Sequence, residues 1–452
     1  MSKMSFAFAV MAALAGMSAS AALPTVSNVQ MSQPGGRNVL VTYDLANGPA
    51  VVTLDVETNG PNGWASIGLE KVYAFDGAVS GDANRKVTGT SGRIYWLAAK
   101  AWPDMKVGAG GARAKLTAWP VDDTPDYMVV DLRAGENTAD RVRYYVSTNS
   151  LPGGGLLGNA AYRTTHLVLK KIMARDVTWT MGSICEFGRN AAREKAHPVT
   201  LSNNYYLGVF PVTQKQTDLM NGAPIVTSFR IDGEMRIRDV LKYGKNKPYA
   251  RGDRLYPLAP SEDSLLGKLR IMTAGAFDFD LPSEAQWEYA AKGGFGENQW
   301  GDGTPMLNTS SDRNHDATLP GRYRFNQETE WYANWQDWNT NGVSQGVLNG
   351  TPIAGSYRPN AFGLYDMCGG VLEWCLDYYQ DDITAYGGAV NANGENRLDG
   401  TQVERPNRVQ RGGAWCHVAC ECRPSSRHCH EPGYGGDSQE AGFRVCCRAG
   451  LK

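Results

Sequence analysis

Apolar and polar residues alternate through the first third of the chain, and this alternation stops near Ile172. Val52, Leu54 and Val56 are interleaved with Thr53, Asp55 and Glu57; Met128, Val130 and Leu132 with Val129 and Asp131; Val142, Tyr144 and Val146 with Arg143 and Tyr145. A period of two places each apolar set on one face of a strand. Turn-forming stretches such as Gln33-Pro34-Gly35-Gly36 and Asn59-Gly60-Pro61-Asn62-Gly63 separate the runs. Residues 22–172 are therefore expected to form an antiparallel β-sandwich of immunoglobulin or fibronectin type. The region contains no cysteine, and its His166 reads as a core or surface residue, so a spacer or adhesion module is the natural expectation.

Beyond that point regular structure is sparsely signalled. One helix stands out: Pro282 opens it, Ser283 and Gln286 have capping-box spacing, Trp287, Ala290 and Ala291 share a face, and Gly293-Gly294 close it. The rest is rich in turns and aromatics, in keeping with 52 Gly, 12 Trp and 21 Tyr in the whole chain. Loops of this kind need anchoring beyond a layered core, and disulfides and calcium are the usual means. All nine cysteines lie from Cys185 onward. With 452 residues, the chain is long enough for two domains.

The first 21 residues read as a secretory signal peptide: Lys3, an apolar run through Phe6, Val10, Met11 and Leu14, then Ala19-Ser20-Ala21 as a cleavage end. The apolar run is shorter than the roughly 18 to 20 residues that cross a bilayer. A secreted, periplasmic or cell-surface protein without a membrane span after cleavage is expected. A net charge of -1 offers no electrostatic reason for a nucleic-acid partner.

Four blocks follow one another in the second region. They are Trp179-Thr180-Met181-Gly182-Ser183 with Tyr205 through Thr213; Leu281 through Ala291 with Trp300-Gly301-Asp302; Asn360 through Met367, running on to Glu373-Trp374; and Arg411-Gly412-Gly413-Ala414-Trp415 with Arg423, Arg427 and Gly442-Phe443-Arg444. In this order they resemble the formylglycine-generating-enzyme, or sulfatase-modifying-factor, family over residues 173–452. The resemblance implies an α+β fold, C-type-lectin-like with little regular secondary structure, following the sandwich. It also implies calcium, held by Asp366, Glu373 and the carbonyls of Gly369 and Val371. A second calcium site would map to Asn334, the carbonyl of Trp335, Gln345 and the carbonyl of Val347, with Gln345 standing where the family has an acid.

Catalytic members carry C-x-x-x-x-C after R-G-G-S, a thiol pair that holds copper and oxidises a sulfatase cysteine to formylglycine. Here Cys422 matches the later thiol, His417 occupies the earlier position and Cys416 lies one residue before it. Ala414 replaces the serine, and Gly370 and Leu372 replace the usual Asn and Trp of the third block. Three readings of the cluster stand side by side. One is a disulfide-stapled loop, with Cys368, Cys375, Cys446 and Cys447 as further partners. Another is a shifted copper pair, Cys416 with Cys422. The third is a zinc site in which His417, His428 or His430 joins cysteines. The altered spacing favours a repurposed module for a protein or glycan ligand, with Trp331, Trp335, Trp338, Tyr378 and Tyr379 as candidate stacking residues. The alternative is the copper- and oxygen-dependent oxidation of a sulfatase cysteine segment.

Overall fold

The computed structural model describes residues 22–103, 105–225, 233–239, 241, 249–252, 259–307, 318–323, 350–386, 407–431 and 440–449. The expected signal peptide lies outside them. The fold is β-rich with a few short helices.

Two small sheets form the first part. One orders the strands Thr25–Gly35, Asn38–Ala46, Ser91–Trp96 and Val79–Gly81; the other centres on Ala50–Gly60, flanked by Gly63–Ser66, Lys86–Val87 and Ala112–Pro120. Strand Asn38–Ala46 follows the period-two reading, burying Val39, Val41, Tyr43 and Leu45 in turn. Strand Ala50–Gly60 is covered on both faces. Val52, Leu54 and Val56 join the core of the first sheets, Val51 joins a second core, and Thr53 accepts a hydrogen bond from Trp119 Nε1 at 3.0 Å.

A third sheet runs across the boundary expected at residue 172. Its antiparallel order is Val142–Tyr145, Tyr127–Asp131, His166–Ile172, Tyr205–Gly208 and Cys446–Arg448. Strand His166–Ile172 pairs Leu167 with Val130 on one side and Ile172 with Tyr205 on the other. The reason lies in the strand's burial, which leaves its backbone N–H and C=O groups away from water and in need of a partner at each edge. Met128, Val130, Tyr144 and Leu169 consequently share one core with Tyr206, Phe279, Trp374 and Phe443.

The last sheet carries the fourth block: Arg427–His430, Arg408–Arg411, Leu372–Tyr378 and Ala441–Gly442, the final pair parallel. Helix Glu284–Lys292 packs on Leu372–Tyr378 and Arg408–Arg411. Its caps are those read from sequence. Ser283 Oγ accepts from Gln286 N at 3.1 Å, Gln286 Oε1 accepts from Ser283 N at 2.9 Å, and Gly293 closes the helix at φ 60°. Glu284 and Glu288 are buried along with Trp287, Ala290 and Ala291.

The expected disulfide staples are not found among the described residues. Cys368, Cys375, Cys422 and Cys446 instead pack in one hydrophobic cluster, where a thiol behaves as a small apolar group. Cys446 and Cys447 project into different cores from neighbouring strand positions. Buried arginine–carboxylate pairs tie the loops. Arg423 meets Glu186 and Glu194 at 2.8 Å, Arg427 meets Glu284 at 2.6 Å, Arg444 meets Glu373 at 2.9 Å, and Arg411 meets Glu288. A guanidinium carries five donors in one plane, so it can hold a carboxylate and backbone carbonyls together. Arg444 also donates to the carbonyls of Gly208, Val209 and Tyr365 at 2.8 to 2.9 Å.

Candidate functional site

The third block is a turn built by Asn360 and three glycines. Asn360 Oδ1 accepts from Phe362 N and Leu364 N at 3.1 and 3.0 Å, while its Nδ2 donates to Ala290 O at 2.6 Å, fastening the turn to the helix. Gly369 has φ 77°, and a Cβ there would sit 2.2 Å from the carbonyl oxygen of Arg322. Its N–H donates to Gly412 O at 2.6 Å, which brings the third block against the fourth.

Asp366 lies in this turn at φ 55°, almost fully buried. Oδ2 accepts from Gly355 N at 2.7 Å, and Oδ1 is buried with no hydrogen-bond partner. Burial, with nearby Glu373 adding to it, pushes the Asp366 carboxyl up to about 6 despite the Gly355 hydrogen bond and Arg444. An orphaned buried carboxylate oxygen is the donor a hard cation satisfies. Glu373 is engaged already: Trp287 Nε1 donates to it at 2.8 Å and Arg444 pairs with it. The Gly369 carbonyl accepts from Val371 N at 3.1 Å. The Gly369 carbonyl keeps a second lone pair for a cation, whereas each Glu373 oxygen already accepts two donors and would have to give one up to coordinate an ion. Asn334, Trp335, Gln345 and Val347 lie outside the described residues, as do Trp331 and Trp338. Tyr378 is buried with Arg408 stacked 3.6 Å from its ring centroid, and half-buried Tyr379 lies under Arg427 at 4.8 Å.

In the fourth block, Gly412 and Gly413 take φ 91° and 69° between strand Arg408–Arg411 and the cysteines. A Cβ on Gly413 would come within 2.7 Å of Cys422 Sγ, so the missing side chain makes room for that sulfur. Cys422, at the end of the short 3-10 helix Ala419–Cys422, has no solvent exposure. Burial pushes its thiol well above the ordinary value, and the neighbouring Cys368, Cys420 and Cys416 add to that.

Half-buried Cys416 and His417 come together instead with Glu440, one ligand atom from each lying within 4.8 Å of the others. His417 Nε2 is 3.4 Å from Glu440 Oε2, and Nδ1, without a hydrogen-bond partner, is 3.8 Å from Glu421 Oε2. His428 lies beside His417, ring centroids 5.1 Å apart. Its Nε2 is 3.2 Å from Glu421 O and 3.4 Å from Ser426 Oγ. Burial first, and His417 second, hold its pKa down at about 4, leaving a neutral ring at pH 7. His430 faces the carbonyl of Glu431 at 3.1 Å. Glu440 belongs to no motif visible in the sequence, and only the return of the chain to strand Leu372–Tyr378 brings it here.

Residues 169–449 match the Sulfatase-modifying factor enzyme 1-like domain, and the chain belongs to that family. Over 176 residues it is 34% identical to the formylglycine-generating enzyme of Streptomyces coelicolor, covering 38% of this chain and 47% of that protein. Over 242 residues it is 28% identical to the chaperone protein LppX of Paenibacillus barcinonensis, covering 48% and 71%. The chain spans about half the length of the bacterial formylglycine-generating enzymes it matches. Among solved structures it is similar to Treponema denticola variable protein 1, at 21% identity and a TM-score of 0.42, covering 63% of this chain and 96% of that one.

Proposed function

We propose that this chain is an exported member of the family in which the domain has been turned from cysteine oxidation to binding a protein or glycan ligand. The observation that carries the reading is the state of Cys422. A copper centre of two thiolates needs both sulfurs deprotonated, adjacent and open to a substrate cysteine. Cys422 is enclosed, its thiol is held protonated by burial, and the earlier thiol position holds His417. These residues do not fit that centre. A relative described as a chaperone supports a family domain used for contact with other proteins. Within residues 22–172, the two sheets built from residues 25–120 would serve as the module that presents it.

Calcium belongs to this reading as a structural ion. Asp366, the carbonyls of Gly369 and Val371, and Glu373 would hold it, with the partnerless Asp366 Oδ1 as the observation in favour. The ion would neutralise a buried carboxylate and brace a turn that has little regular structure of its own.

The purified mature chain, incubated with Cu(I), oxygen and a sulfatase-type cysteine peptide, tests the proposal. The peptide mass is expected to stay unchanged. Conversion to the aldehyde, abolished by Cys422→Ser, would overturn the binding role.

A further inference from the structure

We propose that Cys416, His417 and Glu440 form a binding site for a divalent transition-metal ion of zinc type, with Glu421 orienting His417 from behind. Two donors each about 2.1 Å from one ion at a tetrahedral angle lie about 3.4 Å apart. His417 Nε2 and Glu440 Oε2 are already separated by 3.4 Å. The widest pair among the three ligand atoms is within 4.8 Å, so closure asks only for side-chain adjustment of about 1 Å.

The backbone prepares this arrangement. Trp415 N donates to Gly370 O at 3.1 Å, His417 N to Ala414 O at 2.9 Å, and Leu372 N to Glu440 O at 2.9 Å. Both ligand-bearing segments are thereby fastened to the same stretch, Gly370 to Leu372. The far nitrogen of a metal-bound histidine normally donates to a carboxylate or carbonyl. His417 Nδ1 has no such bond, and Glu421 Oε2 stands 3.8 Å away, within reach of a small ring rotation.

The donor set selects the ion. One sulfur, one imidazole nitrogen and one carboxylate oxygen suit zinc; calcium takes oxygens alone, and Cu(I) prefers sulfur. A thiolate and a carboxylate together balance a divalent charge, and the Cys416 thiol gives up its proton on binding. Three protein ligands leave a fourth position for water or for a donor from a bound partner. All three side chains are partly exposed, so the ion has access from solvent. The site does not depend on the ligand-binding role proposed above.

The full chain, stripped with a chelator, should bind one equivalent of Zn²⁺ by calorimetry and give a thiolate-to-cobalt charge-transfer band with Co²⁺. Cys416→Ser should remove the band, whereas Cys185→Ser, at an exposed cysteine outside the cluster, should keep it. His417→Gln and Glu440→Gln should each weaken Zn²⁺ binding by more than about 10-fold, and Glu421→Gln by roughly 10-fold. Circular dichroism and melting of the stripped variants separate these losses from misfolding. A band that persists in Cys416→Ser, or Zn²⁺ affinity unchanged in His417→Gln and Glu421→Gln, would overturn the assignment.

Discussion

Glu288 is the residue at which burial and charge are most sharply opposed. It has no exposure, yet Lys292 at 2.9 Å and Arg411 hold its carboxyl below the ordinary value against the effect of burial, and Gly182 N donates to it at 2.7 Å. A buried ion pair adds little over an apolar pair, but one left half-made is costly. Arg411→Met is therefore expected to lower unfolding free energy by about 3 to 5 kcal/mol, and Arg411→Met with Glu288→Met by much less than the two single losses together. Urea denaturation of the three variants measures this. Gly413 sets a different limit. Its φ is 69° and its absent Cβ clears Cys422, so Gly413→Ala should destabilise by at least about 1 kcal/mol.

At the scale of elements, helix Glu284–Lys292 is the organiser. Its capping box closes the entry, and its buried face brings Glu284 to Arg427, Glu288 to Arg411 and Trp287 to Glu373. Ser283→Ala should cost about 1 kcal/mol, as the loss of a cap does elsewhere. Gly293→Ala should cost more than a cap, because a Cβ there meets Gly301 O at 2.3 Å in addition to the left-handed backbone. Comparison of the two denaturation midpoints checks the order. The helix was legible in advance, since its caps and apolar face are all written between Pro282 and Gly294. The partners of the buried carboxylates on that face carry no such local signal, because their arginines lie more than 100 residues away.

For the whole molecule, the shared sheet joins residues before and after 172 in one core, and His166 lies on its strand His166–Ile172. Burial lowers its pKa below the ordinary imidazole value, with Asp131 only partly opposing. The unfolded chain then binds more protons than the folded one below about pH 6.5, so this contribution is complete above that pH and is lost as pH falls. His166→Gln is expected to flatten the decline of Tm between about pH 6.5 and 5, read by melting curves across that range. Calcium should act on the same melt. Its addition should raise Tm, by an amount that grows with the logarithm of its concentration, and Asp366→Asn should abolish the effect.

What the sequence determined by itself was what is written over short spans: that the alternating runs are strands, though several are covered on both faces, the capped helix with its limits, and the four motif blocks that mark the family. Each depends on neighbours within a turn or two, so a linear reading captures it. The tertiary structure alone decided which carboxylate answers each arginine of the fourth block, that the sheet continues across residue 172, that Cys422 is enclosed while Cys416 is not, and that Glu440 returns to His417. Those outcomes turn on where long loops close, and burial, which sets the cost of every unpaired charge and the protonation of every thiol, exists only after they have closed.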